Sequence, residues 1–151
     1  MASIKRSKGI TLFWRFHRWL FQISDGRIGA SLFGTKIVKV TAKGRHTGEP
    51  RPFLIYYMPY QESFVIVGSN LGVDWHPAWY LNLQSNPAAE IQIGRERRQV
   101  VARTATGEER EHLWAEIVKK DERYNGYQAL TEREFPLVIL DPVDQQSERS
   151  P

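Results

Sequence analysis

The chain has 151 residues, 41% hydrophobic and 25% charged, enough for one sizeable core and short for two independent domains. Aromatics reach 12%, which excludes a disordered or collagen-like chain, and the lack of Cys excludes disulfide scaffolds, thiolate metal sites and cysteine nucleophiles. The net charge is +4, but residues 1–52 hold 11 Lys/Arg against two Asp/Glu and residues 53–151 hold 10 against 15, so the front of the chain calls for an anionic partner: nucleic acid, acidic lipid or a phosphorylated cofactor.

Residues 10–23 are dominated by Leu12, Phe13, Trp14, Phe16, Trp19, Leu20 and Phe21, with Arg15, Arg18 and Gln22 at helical spacing. Two readings stand for this amphipathic helix. It caps the core, or it lies among acidic headgroups at a membrane surface, to which Lys5, Arg6 and Lys8 would add attraction. A helix over residues 1–24, a β-rich domain over 25–143 and a polar tail over 144–151 are expected. No apolar stretch reaches the roughly 20 residues of a spanning helix, and no secretory leader is evident. The expected location is the cytoplasm, with peripheral association at the inner face of the plasma membrane if the helix is interfacial.

A Ser/Gly-rich connector over residues 24–34 precedes a strand over 36–42. A loop with two glycines and a proline over 43–50 separates it from a second strand over 53–58. After a turn at 59–63, residues 64–68 form a third strand, buried by composition, so a three-strand antiparallel meander is expected. Pro77 starts a short helix over 78–83 that Asn86 and Pro87 end. Residues 89–93 and 97–105 flank a turn at 94–96, in a hairpin whose second strand alternates Val101 with charged neighbours. Thr106 with Glu109 three residues on reads as a capping box, opening a helix with Leu113, Trp114, Ile117 and Val118 as its buried stripe. A tyrosine-bearing segment over 124–130 leads to a last strand over 135–140. About six strands that mostly follow one another without crossover helices predict a mainly β, antiparallel barrel, closed or split, with flanking helices.

No glycine triplet at dinucleotide spacing and no phosphate-binding Gly-Lys-Ser/Thr loop is present. The loop Gly44, Arg45, His46, Thr47, Gly48, Glu49, Pro50, Arg51 suits an anion, because glycines let backbone N–H groups approach and arginines offer charged planar forks. It reads equally as a solvated hairpin end. His46 and His76 lack companions at metal-ligand spacing, and Ser69 lacks the glycines of a nucleophile elbow. Trp75, Trp79, Tyr80, Tyr124 and Tyr127 offer walls for a flat ligand, or packing for the core. No RNA-recognition signature appears, so nucleic acid is not expected.

These residues carry a resemblance. The loop Gly44 to Arg51, then Tyr56 and Tyr57, then Gly68, Ser69 and Asn70, and above all Pro77, Ala78, Trp79, Tyr80, Leu81, Asn82 and Leu83 followed by Asn86 and Pro87, closely resemble the deazaflavin-dependent nitroreductase and F420H2-dependent quinone reductase family. Thr106 to Arg110 before a Trp-bearing helix, and a final strand closing in Asp141 and Pro142, are similar too. The resemblance spans about residues 36–142. It implies a flavin-reductase-like split barrel that uses reduced coenzyme F420 to pass a hydride to a quinone-like or nitroaromatic acceptor. It also implies that Arg45, His46, Thr47 and Arg51 hold the cofactor's phosphate and polyglutamate arm. Val67, Gly68, Ser69 and Asn70 would then lie against its ring, and Ala78, Trp79, Tyr80, Leu81 and Asn82 would line the cleft. Tyr56, Ser69, Tyr124 and Tyr127 are implied to shape the acceptor side. The family commonly has Lys where this chain has His46 and Trp75, so one fixed cation becomes titratable and another is lost. A non-catalytic module that binds or stores F420 or another flavin-like cofactor, and a peripheral membrane-binding protein, are the alternatives.

Overall fold

The computed structural model describes residues 31–32 and 35–144. The amphipathic segment expected over 10–23 and nearly all of the expected polar tail lie outside them. The elements are β1 (Ser31–Leu32), β2 (Thr35–Lys43), β3 (Pro50–Tyr56), β4 (Met58–Tyr60), β5 (Ser63–Val67), a 3-10 turn (Asn70–Gly72), α1 (Ala78–Ser85), β6 (Ala88–Ile93), β7 (Glu96–Thr104), α2 (Gly107–Lys120), α3 (Arg123–Gln128) and β8 (Leu137–Pro142).

Among the described residues every strand pairing is antiparallel, in the row β3-β2-β6-β7-β8-β5-β4, with β1 on the start of β2. The two ends of this row are consecutive in the chain. β3 leaves β2 at Tyr57, whose N–H still bonds the Lys36 carbonyl at 3.0 Å, and β4 then joins β5. The strand row is thereby bent into a barrel that is split where β3 gives way to β4. Pro50, Pro52 and Pro59 all fall on these two strands, each of which pairs with a single neighbour among the described residues, where a missing N–H costs no ladder bond on the unpaired side.

The expected meander is corrected here. The third strand, β5, pairs with β4 and β8 and not with β3, because the second strand is broken at Tyr57 into two pieces serving opposite halves. The connector over 24–34 contains the short strand β1, and the tyrosine-bearing segment contains helix α3.

Alternation on β5 and β8 builds two cores. Ile66, Val138 and Leu140 point inward with Val38, Val40, Ile91 and Val100, where Tyr80 and Leu83 of α1 join them. Val65, Leu137 and Ile139 point outward and are covered by Leu113 and Ile117 of α2. Full burial of such side chains contributes about 1.5–3 kcal/mol each. On β7 it is Val100 that is buried, while Val101 is 43% exposed, so the inward position is one residue earlier than the sequence pattern predicted.

The expected capping box does not form. Thr106 is the N-cap residue but makes no side-chain cap bond, Gly107 follows in the left-handed region at φ 57°, and the Glu109 carboxylate accepts from Arg103 at 2.6 Å and from the Tyr60 hydroxyl at 3.2 Å instead. The same Arg103 donates to Asp141 at 2.6 Å, tying β7, β8 and the start of α2 together. The Arg103 guanidinium bound to Glu109 holds that carboxyl below its usual range, against the opposing charge of Asp141.

Candidate functional site

The β2–β3 loop is compact because its backbone bonds itself, Gly44 N–H to the Glu49 carbonyl and Gly48 N–H to the Gly44 carbonyl, both at 2.8 Å. Gly48 supplies the left-handed turn at φ 73°. At Gly44 a Cβ would come within 3.2 Å of the Arg51 Nε, the Glu49 carbonyl and the Thr47 hydroxyl, so a side chain there would push these neighbours by a few tenths of an ångström.

This loop is fastened to α1 by one residue. The buried Asn82 accepts from the Arg45 backbone N–H at 3.1 Å and from the Arg45 guanidinium at 2.9 Å, and that guanidinium also reaches the Ala78 carbonyl at 3.4 Å. Thr47 accepts from the Arg51 guanidinium at 3.3 Å and from the Glu49 N–H at 3.2 Å. Arg45, His46, Thr47 and Arg51 are all exposed. Beside them Phe53 and Trp79 stack at 5.2 Å with an interplanar angle of 15°, giving a flat aromatic surface next to the cations. Within the same helix Tyr80 is buried, its hydroxyl held by Gln84 at 2.9 Å and near Thr104 at 3.3 Å, whereas Ala78 is exposed and Leu81 half-buried.

A second cluster forms where β5 ends. Val67 packs toward the core under α2, and Gly68 donates to the Pro136 carbonyl at 2.9 Å. Asn70, Leu71 and Gly72 then take three consecutive positive φ values of 45°, 57° and 80°. Such a run is costly for Leu71 and persists only where surroundings enforce it. Here α3 packs against it, and a Cβ on Gly72 would sit 2.6 Å from the Tyr127 carbonyl. Tyr124 and Tyr127 meet edge to face at 6.2 Å, and Tyr56 lies close enough to Tyr124 to act on it electrostatically. Burial first, then the Asp121 carboxylate, push the Tyr124 hydroxyl up to about 12, so it remains a protonated donor near neutrality.

The structure thus gathers the sequence-predicted residues into two neighbouring groups. One holds Arg45, His46, Thr47, Arg51, Ala78, Trp79 and Asn82, the other Ser69, Asn70, Tyr56, Tyr124 and Tyr127. The stretch from Ser69 to α1 connects them. Trp75 stands on this stretch 67% exposed, with its carbonyl accepting from the Asn70 side chain at 3.3 Å. The residue that sequence reasoning missed is Arg133. It donates to the carbonyls of Gly68 at 2.9 Å, Ser69 at 2.8 Å and Val73 at 3.1 Å, and contacts His76 Nδ1 at 3.1 Å. Nothing in the charged run Glu132, Arg133, Glu134 sets it apart from a solvated surface.

A split antiparallel barrel with a cationic loop, a stacked aromatic pair and a tyrosine cluster along one stretch defines a flavin-reductase-like cofactor-binding barrel. Comparison with known proteins gives the family. The model for F420H(2)-dependent quinone reductase matches residues 13–142. An F420H(2)-dependent quinone reductase of Mycobacterium tuberculosis strain H37Rv is 32% identical over 142 residues, spanning 91% of this chain and 94% of its own. A second protein of that strain, described as a putative F420H(2)-dependent quinone reductase, is 36% identical over 100 residues, 66% of this chain and 84% of its own. The solved structure of an F420-H2 dependent reductase, FDR-A, superimposes with a TM-score of 0.64 at 33% identity, covering 70% of this chain and 93% of that one. The heme storage protein HutZ of Vibrio cholerae, at 15% identity and a TM-score of 0.54, shares the fold alone. The chain belongs to the F420H(2)-dependent quinone reductase family and is an oxidoreductase that draws on reduced coenzyme F420.

The residues present fit that cofactor. Exposed His46 and Arg51 on a loop rigidly braced to α1 suit an anionic arm, and the adjacent Phe53 and Trp79 stack suits a planar ring system.

Proposed function

We propose that this enzyme passes a hydride from reduced F420 to a quinone-like or nitroaromatic acceptor, with the cofactor arm on the β2–β3 loop and the acceptor against the tyrosines. The single observation that carries this reading is the pair of hydrogen bonds that Arg45 donates to Asn82, which fixes a cationic loop beside the aromatic face of α1. Arg45, His46, Thr47 and Arg51 hold the arm. Ala78, Trp79 and Leu81 face the cofactor, while the buried Tyr80 and Asn82 support them from behind. Val67, Gly68, Ser69 and Asn70 form the edge against the ring. Bound there, reduced F420 supplies the hydride, and the protein contributes alignment and exclusion of water.

On the acceptor side Ser69, Tyr56, Tyr124 and Tyr127 orient the substrate. A Tyr124 kept protonated donates a hydrogen bond to negative charge growing on a quinone or nitro oxygen. The basic aromatic segment over 10–23 places the enzyme at an anionic membrane surface, where lipid-soluble quinones reside.

Mixing the protein with reduced F420 and menadione tests the reading: oxidised cofactor appears only if the enzyme couples the two. Arg51→Ala is expected to weaken F420 binding by about 1.5–3 kcal/mol, the size of a hydrogen bond to a charged group, in a fluorescence titration. An unchanged dissociation constant removes Arg51 from the arm site.

A further inference from the structure

Arg133 lies on the segment between α3 and β8, yet the bonds its side chain donates go to the stretch that follows β5. Its Nε donates to Val73, one terminal nitrogen donates to Gly68 and contacts His76, and the other donates to Ser69. Four acceptors on one planar fork fix its orientation, and the guanidinium also sits 5.0 Å above the Phe135 ring, which is itself fully buried. Three of the acceptors are carbonyls on either side of Asn70, Leu71 and Gly72, the three residues held at positive φ. The turn also closes on itself, Gly72 N–H to the Ser69 carbonyl at 2.9 Å and Val73 N–H to the Asn70 carbonyl at 3.3 Å, so Arg133 braces it from outside.

The fourth acceptor carries chemical information. A guanidinium has donors only, so His76 Nδ1 must present a lone pair, and a neutral imidazole then bears its proton on Nε2. The ring is further seated against Tyr80, centroids 5.0 Å apart, one residue before the proline that starts α1.

We infer that Arg133 is a positioning residue for the acceptor side of the site, holding the Ser69 to Val73 turn in its left-handed form and His76 in the single neutral tautomer with the proton on Nε2. The inference rests on the proposed placing of the acceptor beside Ser69. It assigns Arg133 no contact with either reactant. A lysine cannot substitute, since one ammonium with three donors cannot span four acceptors set in a plane.

The test uses Arg133→Met, which keeps the apolar stem over Phe135 and removes the fork, and Arg133→Lys, which keeps the charge. In the cofactor-free protein, nitrogen-15 NMR of the His76 ring should show an unprotonated Nδ1 in the wild type and a mixture of tautomers in Arg133→Met. In turnover with menadione, KM for the quinone should rise about tenfold in both variants, with a smaller loss of F420 affinity, because Gly68 and Ser69 also border the ring while the residues proposed to hold the arm keep their contacts. If Arg133→Met does not fold, Arg133→Lys and the wild-type NMR spectrum decide the matter. A wild-type His76 protonated on Nδ1, or a quinone KM unmoved in a folded variant, overturns the inference. Failure of the wild type to oxidise reduced F420 instead overturns the proposed function, and leaves the tautomer measurement standing as a separate result.

Discussion

At the scale of single residues, the site is organised by side chains that face away from it. Asn82 and Arg133 each hold a loop from behind, one through two bonds to Arg45 and the other through four contacts around Ser69. The buried Asn82 leaves the Arg45 N–H unpartnered when truncated, so Asn82→Ala should cost about 1–3 kcal/mol of stability and weaken F420 binding without touching the cofactor's arm. Urea unfolding and a fluorescence titration read the two effects; stability lost with affinity intact would separate Asn82 from the cofactor loop. His76 makes a pH-dependent prediction. Burial, and then the neighbouring Arg133 charge, hold it below its ordinary value of 6.5. As pH falls through 6.5 the unfolded chain takes up this proton before the folded one, so stability declines from that point down to the folded value. The Glu109 and Asp121 carboxyls, both held low by arginine partners, lose their contributions only further down, below the usual carboxylate range. Thermal melting between pH 7.5 and 5 should therefore show a fall that His76→Gln flattens, and parallel curves would rule out a protected neutral His76.

Elements show where local sequence rules held and where a neighbour overrode them. The hairpin around Gly94, the loop between β2 and β3 and the short helix after Pro77 were legible, because glycine, proline and strand patterns act within a few residues. The capping box was not, because its two members answer to different partners: Gly107 turns the chain left-handed and Arg103 draws Glu109 away. Thr106→Ala is accordingly expected to change stability by no more than about 0.5 kcal/mol, instead of the roughly 1 kcal/mol typical of a working cap. A loss of the larger size in chemical denaturation would mean that the Thr106 hydroxyl caps the helix in solution. Gly72→Ala should behave oppositely. It combines a φ of 80° with a Cβ only 2.6 Å from the Tyr127 carbonyl, so about 1–3 kcal/mol is expected to be lost, together with affinity for the quinone. Among the site residues, the family-like block around Trp79 and the tyrosines was visible in the chain. The left-handed turn and its Arg133 clasp were not, since they depend on contacts between segments some 60 residues apart.

For the whole molecule, the barrel was legible as a class and its closure was not. Strand composition announces an antiparallel sheet, but a break at Tyr57 that sends β3 and β4 to opposite ends of the row is decided by tertiary pairing. Charge distribution, by contrast, is read directly: the cations of the first 52 residues include both those of the β2–β3 loop and Arg15 and Arg18 of the aromatic segment over 10–23. If that segment lies at a membrane, two forces act together there. Trp14, Trp19 and the phenylalanines supply buried apolar area, and the arginines supply attraction to anionic lipid at about 1 kcal/mol each near the surface, weakened by salt over a Debye length of about 8–10 Å. The full chain should therefore float with vesicles containing anionic lipid, bind neutral vesicles more weakly, and be released as salt is raised. Arg15→Glu combined with Arg18→Glu should abolish flotation and slow reduction of a membrane-embedded quinone while leaving water-soluble menadione turnover unchanged. Equal flotation with neutral and anionic vesicles would discard the electrostatic half of the argument. No flotation at all would return the segment to the role of a core-capping helix.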